Sequence, residues 1–109
     1  MKRILKWCRD LFFNNKDLHL VFVNEFPKII KDKHVYIEGT LYNKDFWYAK
    51  FKCPCGCGDT LTLNLMEEDP PFWKLKNSKK FSLSPSIRRK TKCRSHFWII
   101  DSKVEWCKN

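Results

Sequence analysis

Alternation of apolar and polar positions dominates the chain from residue 18 onward. Thr60-Leu61-Thr62-Leu63-Asn64-Leu65 is the cleanest stretch, with its leucines on one face. Successive side chains of a strand point to opposite faces, so this pattern predicts a half-buried strand. Related segments predict strands at 18–23, 34–38, 46–52, 72–76, 81–87, 97–100 and 104–106. Turn residues separate them: Pro27, Gly39, Glu67-Glu68-Asp69-Pro70-Pro71, Asn77-Ser78-Lys79-Lys80 and Asp101-Ser102-Lys103. Residues 1–17 follow another period. Ile4, Leu5, Cys8, Leu11 and Phe12 recur at three- and four-residue spacing, which predicts a short amphipathic helix. The expected architecture is therefore small and mixed α+β. An N-terminal helix over 1–17 precedes a single β-rich domain over 18–109, mostly antiparallel, as a sheet or a partly open barrel.

Strands 46–52 and 60–65 flank Cys53-Pro54-Cys55-Gly56-Cys57-Gly58, which places three thiols at the tip of a hairpin. Thiols this crowded pair poorly as disulfides, because a bridge needs Cα atoms about 4.4–6.8 Å apart and a set dihedral. They suit a soft tetrahedral metal, and glycines let the backbone turn sharply enough for the sulfurs to converge. Cys93 supplies a fourth thiol, and the expected set is Cys53, Cys55, Cys57 and Cys93 on a structural zinc that staples the domain. His96 or Cys107 could stand in if one of the first three is a spectator. A three-ligand site with a water, the catalytic form of zinc, is the other option. Cys8 reads as a small buried hydrophobe.

Composition sharpens this. A chain of 109 residues is one domain by size, and a core this thin benefits from a metal staple. Aromatic residues make up 16% of the chain, so the core is built from bulky rings. No run of about 20 apolar residues suggests a membrane span, and no export signal is read at the N-terminus. Six cysteines without such a signal point to a reducing compartment, the cytoplasm, and to metal rather than disulfides. The net charge of +10 implies attraction to polyanions or to an acidic protein surface.

Beside the thiols lie Ser84-Pro85-Ser86 and Arg94-Ser95-His96. A hydroxyl becomes a nucleophile when a base within about 2.6–3.2 Å takes its proton. In an extended segment Ser95 and His96 project on opposite faces, so His96 reaches for Ser84 or Ser86 rather than its neighbour. Asp59, Asp101 and Glu105 are candidates for an orienting third group by availability alone. On residue types alone the structural reading is favoured, with His96 a ligand or core residue and Ser86 a turn serine. His19 and His34 read as structural.

Cys53-Pro54-Cys55-Gly56-Cys57-Gly58, Ser82-Leu83-Ser84-Pro85-Ser86-Ile87, Cys93-Arg94-Ser95-His96-Phe97-Trp98-Ile99 and Val104-Glu105-Trp106-Cys107 follow one another in order. Together they resemble a family of small zinc-binding proteins of bacterial ubiquitination-like (Bub) operons, over roughly residues 18–107. The resemblance implies a serine-type, deubiquitinase-like peptidase that processes a ubiquitin-like protein or releases it from its conjugates. It implies Ser86 as nucleophile, His96 as general base, Ser95 as runner-up nucleophile, and Arg94 in recognition of the carbonyl or the C-terminal tail. It also implies activating-enzyme-like and conjugating-enzyme-like proteins as neighbours. The turn Asp101-Ser102-Lys103 departs from the pattern, where a glycine is expected.

Two other readings compete. One is a non-enzymatic zinc-stapled module that binds nucleic acid or an acidic protein through its positive charge. The other is a zinc metallopeptidase, against which stands the lack of His-Glu-x-x-His.

Overall fold

The computed structural model describes residues 17–40, 42, 45–90 and 93–107. They form eight strands: β1 (His19–Val23), β2 (His34–Thr40), β3 (Asp45–Lys52), β4 (Thr60–Asn64), β5 (Lys74–Asn77), β6 (Phe81–Arg88), β7 (His96–Ile100) and β8 (Lys103–Trp106). Every strand expected from the alternation is present, with small shifts at the ends. The class is not α+β. Among the described residues there is no helix, and what they form is all-β. The helix expected over 1–17 lies, apart from Asp17, outside the described residues.

The strands pair in chain order as two separate four-stranded sheets, β1-β2-β3-β4 and β5-β6-β7-β8. The expectation of one sheet or a partly open barrel is corrected accordingly. The chain changes sheet after β4, where Asn64 organises the connection. Its side-chain amide donates to the carbonyls of Asp69 and Pro71 at 2.6 and 3.0 Å. Its backbone carbonyl accepts Trp73 N–H at 2.8 Å. These bonds satisfy backbone that would otherwise be stranded in the crossover. One pairing is parallel: β1 lies along β2 with His19 opposite His34 and Val23 opposite Glu38. The two histidine rings stand 5.2 Å apart, and His34 stacks on Tyr36 at 6.0 Å.

The core lies between the sheets. Val35, Ile37, Ala49, Phe51 and Leu63 come from the first sheet, and Phe81, Leu83, Ile87, Phe97 and Ile99 from the second. Phe51 and Phe97 meet edge to face across the interface at 6.4 Å. Because inward positions alternate with outward ones, Phe97 and Ile99 facing the core leave His96, Trp98 and Ile100 on the outer face of β7. The same rule on β6 buries Leu83 and Ile87, but between them the register with β7 slips. That irregularity spans Ser84, Pro85 and Ser86, and bulges of this kind re-aim side chains.

Candidate active site and metal centre

β3 and β4 form the expected hairpin, with Lys52 opposite Thr60. Cys53 N–H donates to Asp59 C=O at 2.8 Å and closes the tip, while Gly56 N–H donates to Cys53 C=O at 3.2 Å. Gly56 and Gly58 both adopt φ near 91°, a conformation that side chains resist. Gly56, between Cys55 and Cys57, and Gly58, just after Cys57, thus supply the turns that gather the thiols. Cys93 arrives from the segment ahead of β7. Its sulfur lies 3.6 Å from that of Cys53, which is 3.5 Å from that of Cys55. All four sulfurs of Cys53, Cys55, Cys57 and Cys93 lie within 4.8 Å of one another.

This set fits a tetrahedral ion. Metal–sulfur bonds of about 2.3 Å imply sulfurs about 3.8 Å apart along each edge. The four cysteines could thus hold a metal ion, with the sulfurs drawing in by up to about 1 Å. Neither His96 nor Cys107 belongs to the cluster among the described residues.

Two residues not foreseen in these roles condition the metal site. Arg89 Nη1 donates to the sulfurs of Cys57 and Cys93 at 3.5 and 3.4 Å, while Nη2 pairs with Asp59 at 3.0 Å. Asp59 and the thiols hold this guanidinium firmly protonated. Ser95 is buried, and its Oγ sits 3.0 Å from Cys93 Sγ and 3.9 Å from Cys53 Sγ. This hydroxyl lowers the Cys93 thiol to about 6, against the opposing effect of desolvation. Desolvation, then the neighbouring thiols, pushes Cys55 up to about 11. The metal-free cluster is thus poised with its first charge on Cys93.

The same short segment carries the second constellation. Arg89 N–H donates to Ser95 C=O at 2.7 Å, which ties the segment to the end of β6. Arg88 lies opposite His96 in the β6–β7 ladder. Ser86 emerges from the β6 irregularity with its Oγ 2.9 Å from His96 Nε2. Trp73 Nε1 donates to the Ser86 carbonyl at 3.3 Å and holds that backbone from the opposite side. The structure therefore brings together Ser86 and His96, and separately Ser95 and the thiols. Ser95 does not face His96, in keeping with the alternation of adjacent residues. Arg94 is exposed with φ near 51°, at the bend between the two sites.

A hydroxyl in contact with an imidazole, outside the metal cluster, is an arrangement in which the ring can take the hydroxyl proton. Comparison with known families agrees with that chemistry. The model of the family described as "Bacterial ubiquitination-like system serine protease (BubE)" matches residues 22–107. The chain belongs to this family. No curated protein and no solved structure gives a match. As a BubE-family member the chain is placed by that description among serine proteases, in a system whose implied partners are ubiquitin-like proteins.

A catalytic triad would need a third group on His96 Nδ1. That atom is buried and has no hydrogen-bond partner among the described residues. Asp59 is engaged by Arg89. Asp101 lies in the β7–β8 turn with φ near 49°, its N–H on Ser82 Oγ. Glu105 lies opposite Trp98 on β8. Nothing in the sequence marked Trp73 or Arg89 as part of either site, because both act through contacts that only the fold creates.

Proposed function

We propose that this chain is a serine peptidase or isopeptidase that processes a ubiquitin-like protein or removes it from its conjugates, in the cytoplasm. The observation that carries the reading is the 2.9 Å contact between Ser86 Oγ and His96 Nε2. His96 accepts the Ser86 proton as Oγ attacks the carbonyl at the end of the ubiquitin-like tail. The C–N bond then breaks, and His96 returns the proton to the departing amine. Water, activated by the same imidazole, frees the acid and restores the serine. Arg94, exposed beside the pair, is the proposed contact for the tail.

Zinc on Cys53, Cys55, Cys57 and Cys93 serves as a structural staple. Four thiolates complete its coordination and leave no position for a reactive water, which argues against a metallopeptidase. Bound there, an ion would hold Cys93, and Cys93-Arg94-Ser95 would in turn anchor the start of β7 where His96 stands. This is support that a domain of this size otherwise lacks.

The test is cleavage of a C-terminally extended ubiquitin-like protein from the same locus by folded, metal-loaded protein. Ser86→Ala should lose at least about 10³-fold in rate with metal content unchanged. Ser95→Ala should keep the activity. Retained cleavage by Ser86→Ala would sink the assignment.

A further inference from the structure

The outer face of the second sheet carries a trough on β5, β6 and β7, the last two of which also bear Ser86 and His96. β5 places Lys74 and Lys76 opposite Ser84 and Ser82 of β6. On the other side of β6, Leu83 opposite Ile99 brings Trp98 and Ile100 alongside. Small serines thus run between a wall of lysines and a wall of apolar side chains. These six residues line one groove of about 500 Å³. Trp98 and Ile100 are 36% and 41% exposed, two large apolar groups side by side that nothing among the described residues covers. β6 carries Ser86 two residues beyond Ser84, and β7 carries His96 two residues before Trp98. The groove and the hydroxyl–imidazole pair therefore share the same two strands and the same face.

We propose that this groove is the subsite for the tail of the ubiquitin-like substrate, on the acyl side of the scissile bond. This rests on the function proposed above. An extended peptide rises about 3.3 Å per residue, so the run along β7 from Ile100 to His96 takes about four residues. Its side chains alternate left and right. Those facing β7 meet Trp98 and Ile100, and those facing β5 meet Lys74 and Lys76. The groove thus selects a tail in which apolar residues alternate with acidic ones. The acyl side is the sensible occupant because the ubiquitin-like protein is the constant half of every conjugate. The leaving side changes from target to target and offers nothing for fixed walls to read.

Two readouts separate this proposal from the function it rests on. Binding is measured on metal-loaded Ser86→Ala protein by fluorescence anisotropy. The probes are labelled peptides whose four residues before the terminal glycine alternate Leu/Glu, Leu/Lys or Ser/Gly. The Leu/Glu peptide should bind tightest. Trp98→Ala should weaken it on the order of tenfold. The double reversal Lys74→Glu and Lys76→Glu should invert the preference toward Leu/Lys. Cleavage of the same sequences extended beyond the glycine by an amide-linked reporter amine, by the protein with Ser86 intact, reads the catalytic assignment separately. Binding that follows this pattern without cleavage would keep the subsite and remove the peptidase. Equal binding of all three peptides, no binding of any, or indifference to the lysine reversal would overturn the subsite.

Discussion

His96 presents its two ring nitrogens to different surroundings. Nε2 meets the Ser86 hydroxyl, whereas Nδ1 is buried without a partner among the described residues. A base used through one nitrogen should be replaceable in shape but not in function. His96→Gln is expected to lower kcat by about 10²–10⁴-fold with KM nearly unchanged, read from steady-state cleavage. An equal loss in kcat and affinity would mean that the imidazole only shapes the site. Ser95, one position away, serves the other constellation. Its hydroxyl donates to the Cys93 sulfur and favours the thiolate, while desolvation disfavours it. Removing the donor in Ser95→Ala leaves desolvation opposed only by the Ser95 backbone N–H and the neighbouring thiols. The Cys93 titration in metal-free, still folded protein should then move upward from about 6. The pH dependence of its alkylation rate measures this, and an unchanged midpoint would refute the hydroxyl's role.

At the level of elements, alternation is cleanest on β3, β4, β6 and β7, where inward residues repeat at every second position, whereas β2 buries Val35, Tyr36 and Ile37 in succession. The hairpin tip was legible too, because glycines at fixed offsets between thiols let the chain turn back sharply enough to gather sulfurs around one ion. What alternation does not encode is which strand lies beside which. Neither the parallel pairing of β1 on β2 nor the division into two sheets changes the spacing of apolar residues. The Ser86–His96 pair was legible only in outline, because the β6 irregularity that aims Ser86 depends on register with β7. Arg89 was invisible for the same reason: it reaches the hairpin thiols from the end of a strand in the other sheet. Arg89→Ala should weaken metal binding about 10–100-fold, as losses of groups that support ligands do, measured by competition with a chelator. Gly39 tests the β2–β3 irregularity. A Cβ there would come within 2.8 Å of Phe46 Cα and press on the Asp45 carbonyl oxygen, both backbone atoms that cannot swing aside. Gly39→Ala should cost about 1–3 kcal/mol or more in urea denaturation, with no change in metal content.

Across the whole molecule, the net charge of +10 and the outward lysines set how a partner arrives rather than how tightly a peptide bond is broken. A positive surface draws an acidic partner into encounter, and salt screens that attraction over about 10 Å at 0.1 M. The charge alone could equally serve nucleic acid, and salt titration separates the two because each acts on a different quantity. For a peptidase steered to an acidic ubiquitin-like protein, kcat/KM should fall several-fold between 50 and 200 mM salt, about the range in which steering is lost, while kcat stays constant. Short neutral peptides should show no such fall, since there is little long-range field for them to feel. If the surface instead serves nucleic acid, added duplex or single strands should bind with a steep logarithmic salt slope and compete with protein substrate. A flat kcat/KM for the acidic substrate, together with a steep slope for nucleic acid, would reassign the charge to a second partner. It would leave the Ser86–His96 site intact.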